Sequence, residues 1–186
     1  MAGTGTTRHV ALIRGINVGG RNPVPMADLR AAFEAAGFDE VRTYIQSGNV
    51  VLESDLSASE VAEQIDANLR STFTIDSDLV RVLVLDRTAY GEVIADAPPG
   101  FGDDPDTYRY DVLFHLGVTA EEVEPHIVTN PDVDEVKVGR RATYHRRIAA
   151  KATKSRVNKI IGTPVYAGLT IRNWNTTKKL EALVQE

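Results

Sequence analysis

VALIRGINVGGRNPVPMADLRAAFEAAGFDEVRTYIQSGNVVLES, residues 10–54, holds the alternation of strand-like and helix-like patterns that decides the fold. Val10-Ala11-Leu12-Ile13 is a short apolar run and reads as a buried strand. From Pro25 to Gly37, Met26, Leu29, Ala32 (or Phe33) and Ala36 recur at the spacing of one helix face. Pro25 suits the first turn of that helix and Gly37 its exit. Val41–Gln46 and Val50–Glu53 are rich in β-formers. Ser47-Gly48-Asn49 joins them as a tight turn, because Gly and Asn tolerate positive φ. Beyond this stretch Ser57 starts a second helix, with Glu60 at the spacing of a capping box. Its apolar residues Val61, Ile65 and Leu69 share one face, and Leu79–Leu85 follows as a strand. The order is β-α-β-β-α-β.

The same order recurs in the second half. Arg87–Ala95 reads as a connecting helix, and Ala97–Pro105, with its prolines and glycines, as a linker. Tyr108–Leu116 is a strand, and Thr119 with Glu121 and Glu122 marks a helix start. Asp134–Val138 and Thr143–Ile148 are strands, Ala152–Ile161 a helix, and Leu169–Arg172 a strand. Asn175 or Thr176 caps a terminal helix that runs to about Gln185. The expected class is α+β: two ferredoxin-like units in tandem, each an antiparallel sheet with helices on one face, plus an extra C-terminal helix. The units are placed at residues 1–96, with the GINVGG loop and QSGN hairpin, and 97–186, basic and with the RNW motif.

Three stretches, VALIRGINVGGRN (10–22), VPMADLRAAFEAAGF with VRTYIQSGNVVLES (24–54), and TIRNWNTTKKLEAL (170–183), resemble the bacterial DUF1697 family. The similarity is densest over residues 10–54 and follows the rest in outline. It implies a two-part ferredoxin-like α+β fold and implies no activity.

Composition excludes several function classes. Of 186 residues, 42% are apolar and 25% charged, enough apolar material to bury a core. Cysteine is absent, so a disulfide scaffold, a Cys-ligated metal and a thiol nucleophile are excluded. No apolar run reaches the roughly 20 residues needed to span a bilayer, so no membrane partner is expected. Met1–Thr7 reads as a frayed tail with no export signal, which makes the cytoplasm the expected compartment.

The candidate sites lie at strand ends. Arg14, Gly15, Asn17, Gly19, Gly20 and Arg21 form a glycine-rich loop between a strand and a helix. Successive amides there can cradle a phosphate or carboxylate; equally, the glycines can serve only a tight crossover. The Gly-Lys-Ser/Thr ending of a Walker loop is missing, so Mg-nucleotide hydrolysis of that type is excluded. Gln46, Ser47 and Asn49 sit at the hairpin tip; Ser47 as a nucleophile would need a base that no histidine spacing supplies. Arg172, Asn173 and Trp174 enter the last helix, where Trp174 reads as a packing anchor or as the wall of a ligand site. No metal and no cofactor is called for.

The net charge of −5 conceals an asymmetry. Residues 136–180 hold 12 Lys+Arg and no acid, leaving 9 basic and 26 acidic residues elsewhere. Such a segment either faces a polyanion or neutralises the acidic remainder. Arg140, Arg141, Tyr144, Arg146, Arg147, Lys151, Lys154, Arg156 and Lys159 are the residues a nucleic acid would meet, with Tyr144, Tyr108 and Tyr110 as stacking candidates. The expected function is thus binding of a small anionic ligand, with or without a reaction. Nucleic-acid binding is the alternative, and a protein–protein module pairing through an edge strand the third reading.

Overall fold

The computed structural model describes residues 5–76 and 78–186. Residues 1–4 of the expected tail lie outside these, and Thr7 already belongs to a strand. The chain divides into two compact units, one running up to Gly91 together with Leu180–Glu186, the other Glu92–Lys179.

The first unit contains β1 (Thr7–Arg14), α1 (Met26–Ala35), β2 (Asp39–Tyr44), β3 (Asn49–Ser54), α2 (Ala58–Thr72) and β4 (Arg81–Asp86). Its sheet has the order β2-β3-β1-β4, antiparallel throughout, which is the ferredoxin-like arrangement. Ala11 and Ile13 of β1 join Leu29 and Phe33 of α1 and Val61, Ile65 and Leu69 of α2 in one buried cluster. The capping box is present: Ser57 Oγ accepts from the Glu60 amide, and the Glu60 carboxylate accepts from the Ser57 amide. Helix α3 (Arg87–Ala95) follows β4 directly, with the Asp86 carboxylate accepting from the Ala89 amide at 2.7 Å.

The second unit repeats the topology with β5 (Tyr108–His115), α4 (Ala120–Val123), β6 (Asp134–Val138), β7 (Ala142–Ile148) and β8 (Leu169–Asn173), in the order β6-β7-β5-β8. Leu113, Val123, Ile160, Val165 and Leu169 form the cluster on its crossover face. Helix α5 (Trp174–Gln185) closes the chain.

Four expectations change. Ala152–Ile161 is not an α-helix; Ala149–Lys154, Val157–Gly162 and Pro164–Gly168 are 3₁₀ segments. In a helix the Arg156 amide would bond to Ala152, but the buried Asp134 carboxylate takes it at 2.9 Å, and Ser155 closes the shorter turn to Ala152. Second, Ala97–Pro105 is not a bare linker, because Phe101 is buried against Tyr110, Tyr144 and Trp174. Third, the cap of α5 is Asn173, whose side-chain oxygen accepts from the Thr176 amide at 2.8 Å. Fourth, the units part at Gly91/Glu92 and not at 96/97, and the last seven residues belong to the first unit. There Leu180 and Val184 are fully buried, and Arg8 and Arg87 donate to Leu183 O and Gln185 Oε1.

Asp134 is the polar anchor of the second unit. Its carboxylate accepts from the amides of Asn130 and Arg156, each at 2.9 Å, and faces His145 Nε2 at 3.0 Å. Burial opposes its charge, but the accepted hydrogen bonds outweigh burial and pull its pKa down to about 2. Burial, seconded by the Arg147 charge, pushes His145 below the ordinary imidazole range against the pull of Asp134. An acid depressed on folding contributes stability above its unfolded pKa and loses it as pH falls through the folded value. About 2 kcal/mol is therefore expected to disappear between roughly pH 4 and pH 2. Asp134→Asn, which turns an amide NH₂ or an uncharged oxygen toward the same donors, should cost about 2–3 kcal/mol at neutral pH and remove that acid limb, as read by urea unfolding at a series of pH values.

Candidate functional site

β1 ends at Arg14, and the segments that follow it or flank it meet there. The Ile13 amide donates to Gly48 O at 2.8 Å, which seats the β2–β3 turn beside the end of β1. Gly15 lies against the approach to β4: a Cβ on it would come within 2.2 Å of Leu79 O. The Asn22 side chain spans the same gap, donating to Gly15 O at 2.8 Å and accepting from the Asp76 amide at 2.7 Å.

The glycine loop does not run straight into α1, as its sequence suggests. It closes on itself first, through Asn17 N to Asn22 O (3.0 Å) and Arg21 N to Val18 O (2.9 Å). Asn17 brackets Val24 with both ends of its amide, and Pro23-Val24-Pro25 then separate the loop from the helix. The α1 N-terminus therefore does not form the floor of this loop. Its exposed tip is Gly19-Gly20-Arg21, with both glycines in the left-handed region at φ +58° and +75°.

The predicted residues divide by task. Asn17 uses its side chain on the loop backbone, and Asn49, fully buried, donates to Tyr44 O at 3.1 Å. Gln46 and Ser47 are exposed at the turn, while Arg14 is half-buried. His9, the one histidine in the sequence of this unit, is buried and pairs with Leu52 on β3. Sequence reading passed over Arg81, which stands directly opposite Arg14 on β4. Only the β1–β4 register sets these two residues opposite one another, so nothing local in the sequence signals the pair.

Arg172, Asn173 and Trp174 belong to the second unit. Arg172 is buried and donates to Thr170 Oγ1 at 3.0 Å and Ile171 O at 2.8 Å. Asn173 caps α5. Trp174 is half-buried, with Phe101 edge-on at 5.1 Å and Lys178 6.0 Å above the ring. It lines a cleft of about 270 Å³ together with Tyr108, Arg109 and Asp111.

The basic stretch splits in two. Lys137 pairs with Asp96 (2.7 Å), Arg141 with Glu92 (2.8 Å), Arg146 with Glu135 (2.6 Å) and Arg147 with Asp111 (2.5 Å). Arg140, Lys151, Lys154, Arg156 and Lys159 are exposed and make no ion pair among the described residues. The stacking expectation does not hold for Tyr144 and Tyr110. Tyr144 is buried, donates to Val93 O and meets Phe101 edge-on at 5.7 Å. Tyr110 is covered by the same ring at 5.0 Å. The sheet face that would receive bases is filled by the chain's own Phe101. Among the described residues no group of three His, Cys, Asp or Glu could hold a metal ion, and no helix is long and apolar enough to cross a membrane.

A family model described as "Protein of unknown function (DUF1697)" matches residues 6–144. The structure of a conserved bacterial protein, SP0830 from Streptococcus pneumoniae, is similar at a TM-score of 0.83 and 25% identity, covering 96% of this chain and 99% of that one. No curated protein sequence matches the chain.

The loop geometry distinguishes its glycines. Gly15→Ala combines φ +86° with a Cβ 2.2 Å from Leu79 O, whereas a Cβ on Gly19 meets nothing within 4 Å. Gly19→Ala should cost about 1–2 kcal/mol from left-handed strain alone, and Gly15→Ala at least about 3 kcal/mol because the backbone of Leu79 must also move. Denaturant unfolding of the two variants side by side checks the order.

Proposed function

Since the chain belongs to the DUF1697 family, whose description carries no activity, its own residues must supply a function, and we propose binding of a small phosphate- or carboxylate-bearing ligand at the strand-end loops of the first unit. The observation that carries this reading is the Arg14–Arg81 cross-strand pair. Arg81 also donates from its guanidinium to Val80 O at 2.8 Å, and two arginines directly opposite on neighbouring strands can present further donors to one anion. Arg14 and Arg81 supply charge and forked donors. At the exposed tip Gly19 and Gly20 supply backbone amides and Arg21 a third cation, and Gln46 and Ser47 supply neutral polar contacts from the neighbouring turn. Gly15, Asn17 and Asn49 support this constellation by holding its backbone.

Phosphate or pyrophosphate should raise the thermal midpoint by several degrees once its concentration reaches about 100 times Kd, where linkage contributes about 2.7 kcal/mol. Arg81→Gln should weaken this response about tenfold or more, and Arg14→Gln likewise. An unchanged midpoint in the wild type across millimolar phosphate, pyrophosphate and di- or tricarboxylates defeats the reading.

A second reading is supported by the unpaired cations of the second unit. The 3₁₀ turns leave Lys151, Lys154, Arg156 and Lys159 exposed, while Val157 and Ile160 are buried. With Arg140, these cations suit tracking of a nucleic-acid backbone without base readout. If four of them meet phosphates, log K for duplex DNA should fall with log salt at a slope of about −3.6. Glutamate at Lys151 and Lys154 should flatten that slope by about half, measured by fluorescence anisotropy. A slope near zero excludes this reading.

A further inference from the structure

The cleft beside Trp174 is lined by residues of the second unit alone. β8 stops at Asn173 opposite Asp111, and the chain turns into α5, so β5 runs on through Tyr110, Arg109 and Tyr108 without β8 beside it. The cleft of about 270 Å³ opens there.

Its walls are flat and held in place. The Trp174 indole is fixed by Phe101 edge-on at 5.1 Å and by Gly102, where a Cβ would come within 2.2 Å of the indole nitrogen. Gly102 has φ +98°, so the backbone as well as the space there suits glycine. Tyr108 and Pro105 add further ring surface. Arg146 sits over the Tyr108 ring at 4.7 Å and is itself held by Glu135, which limits the freedom of that ring.

The charge balance of the cleft is positive. Arg147 and Asp111 neutralise one another at 2.5 Å. Arg109 is exposed, its guanidinium donates to the backbone oxygens of Pro105 (2.8 Å) and Tyr108 (3.5 Å), and it meets no carboxylate among the described residues. A half-buried indole beside an uncompensated guanidinium recognises a ring by stacking and an anion by charge. Pockets for drug-sized ligands are typically about 300–1,000 Å³, so a cleft of this size admits one ring system and not a dinucleotide.

From this we infer that the second unit binds a single aromatic or heteroaromatic ring carrying a phosphate or carboxylate, with the ring against Trp174 and the anion on Arg109. The inference does not need the anion site of the first unit.

Trp174 is the sole tryptophan of the sequence, so its emission reports this cleft alone. The full chain is titrated with adenosine monophosphate, adenosine, ribose 5-phosphate and inorganic phosphate. Adenosine monophosphate should quench Trp174 saturably, and adenosine and ribose 5-phosphate should each bind about tenfold more weakly or worse, because each lacks one of the two recognised features. Arg109→Gln, an exposed substitution, should reduce the affinity for the monophosphate about tenfold and leave that for adenosine unchanged. Inorganic phosphate should leave the emission as it is, so a thermal response to phosphate and a Trp174 response to the nucleotide succeed or fail separately. No saturable change with the monophosphate, or equal affinity in Arg109→Gln, overturns the inference.

Discussion

The register in which β1 lies between β3 and β4 is the constraint on which the first unit depends. Val10 faces Val51 on one side and Leu85 on the other, and this alignment puts Ala11 and Ile13 on the helix-facing side. A slip of one residue would exchange those side chains for Val10, Leu12 and the charged Arg14, and the cluster around Phe33 and Ile65 would lose its floor. The same register places Gly48 against Ile13 and sets Arg81 opposite Arg14. Packing and the placement of the two arginines at this sheet end therefore have one origin. Apolar burial fixes the alignment, and the alignment assembles the charges.

The second unit solves the same topology with less helix. Its second crossover spans the sheet with three 3₁₀ segments, and a buried carboxylate replaces what helix propagation would have supplied. An ionised Asp134 in the interior is tolerable because each oxygen has donors, and the neutral His145 beside it adds no second charge. The resulting turns display Lys151, Lys154, Arg156 and Lys159 outward over Val157 and Ile160. Structural anchoring and the unpaired positive surface are thus the two sides of one segment.

Charge and aromatic content acquire meaning only through placement. The basic stretch holds 12 cations, but four of them face carboxylates of their own unit and Arg172 is buried. Tyr144 and Tyr110 sit on central strands, as base-stacking residues would, yet Phe101 covers both. Trp174 packs on Phe101 and also lines an open cleft.

Patterns whose cause is local were legible from the amino-acid sequence. The strand Val10–Ile13, the Ser57–Glu60 capping box, the QSGN turn and the β-α-β-β-α-β order follow from backbone preference, side-chain period and short-range hydrogen bonding. Arg14, Gly19, Gly20, Arg21, Gln46 and Ser47 of the candidate anion site were legible for the same reason, since they announce loops beside strands. Arg81 was not, because a cross-strand neighbour is defined by pairing between residues 67 positions apart. Likewise Ala152–Ile161 carries a helical pattern that Asp134 overrides from 22 residues away, and Phe101 looks like part of a linker until the sheet it covers exists. The sequence by itself determined which elements form and in what order, because those depend on neighbours along the chain. Tertiary structure alone decided which charges stand together, which rings are covered and where a cleft remains, because burial and cross-strand register are properties of distant residues brought into contact.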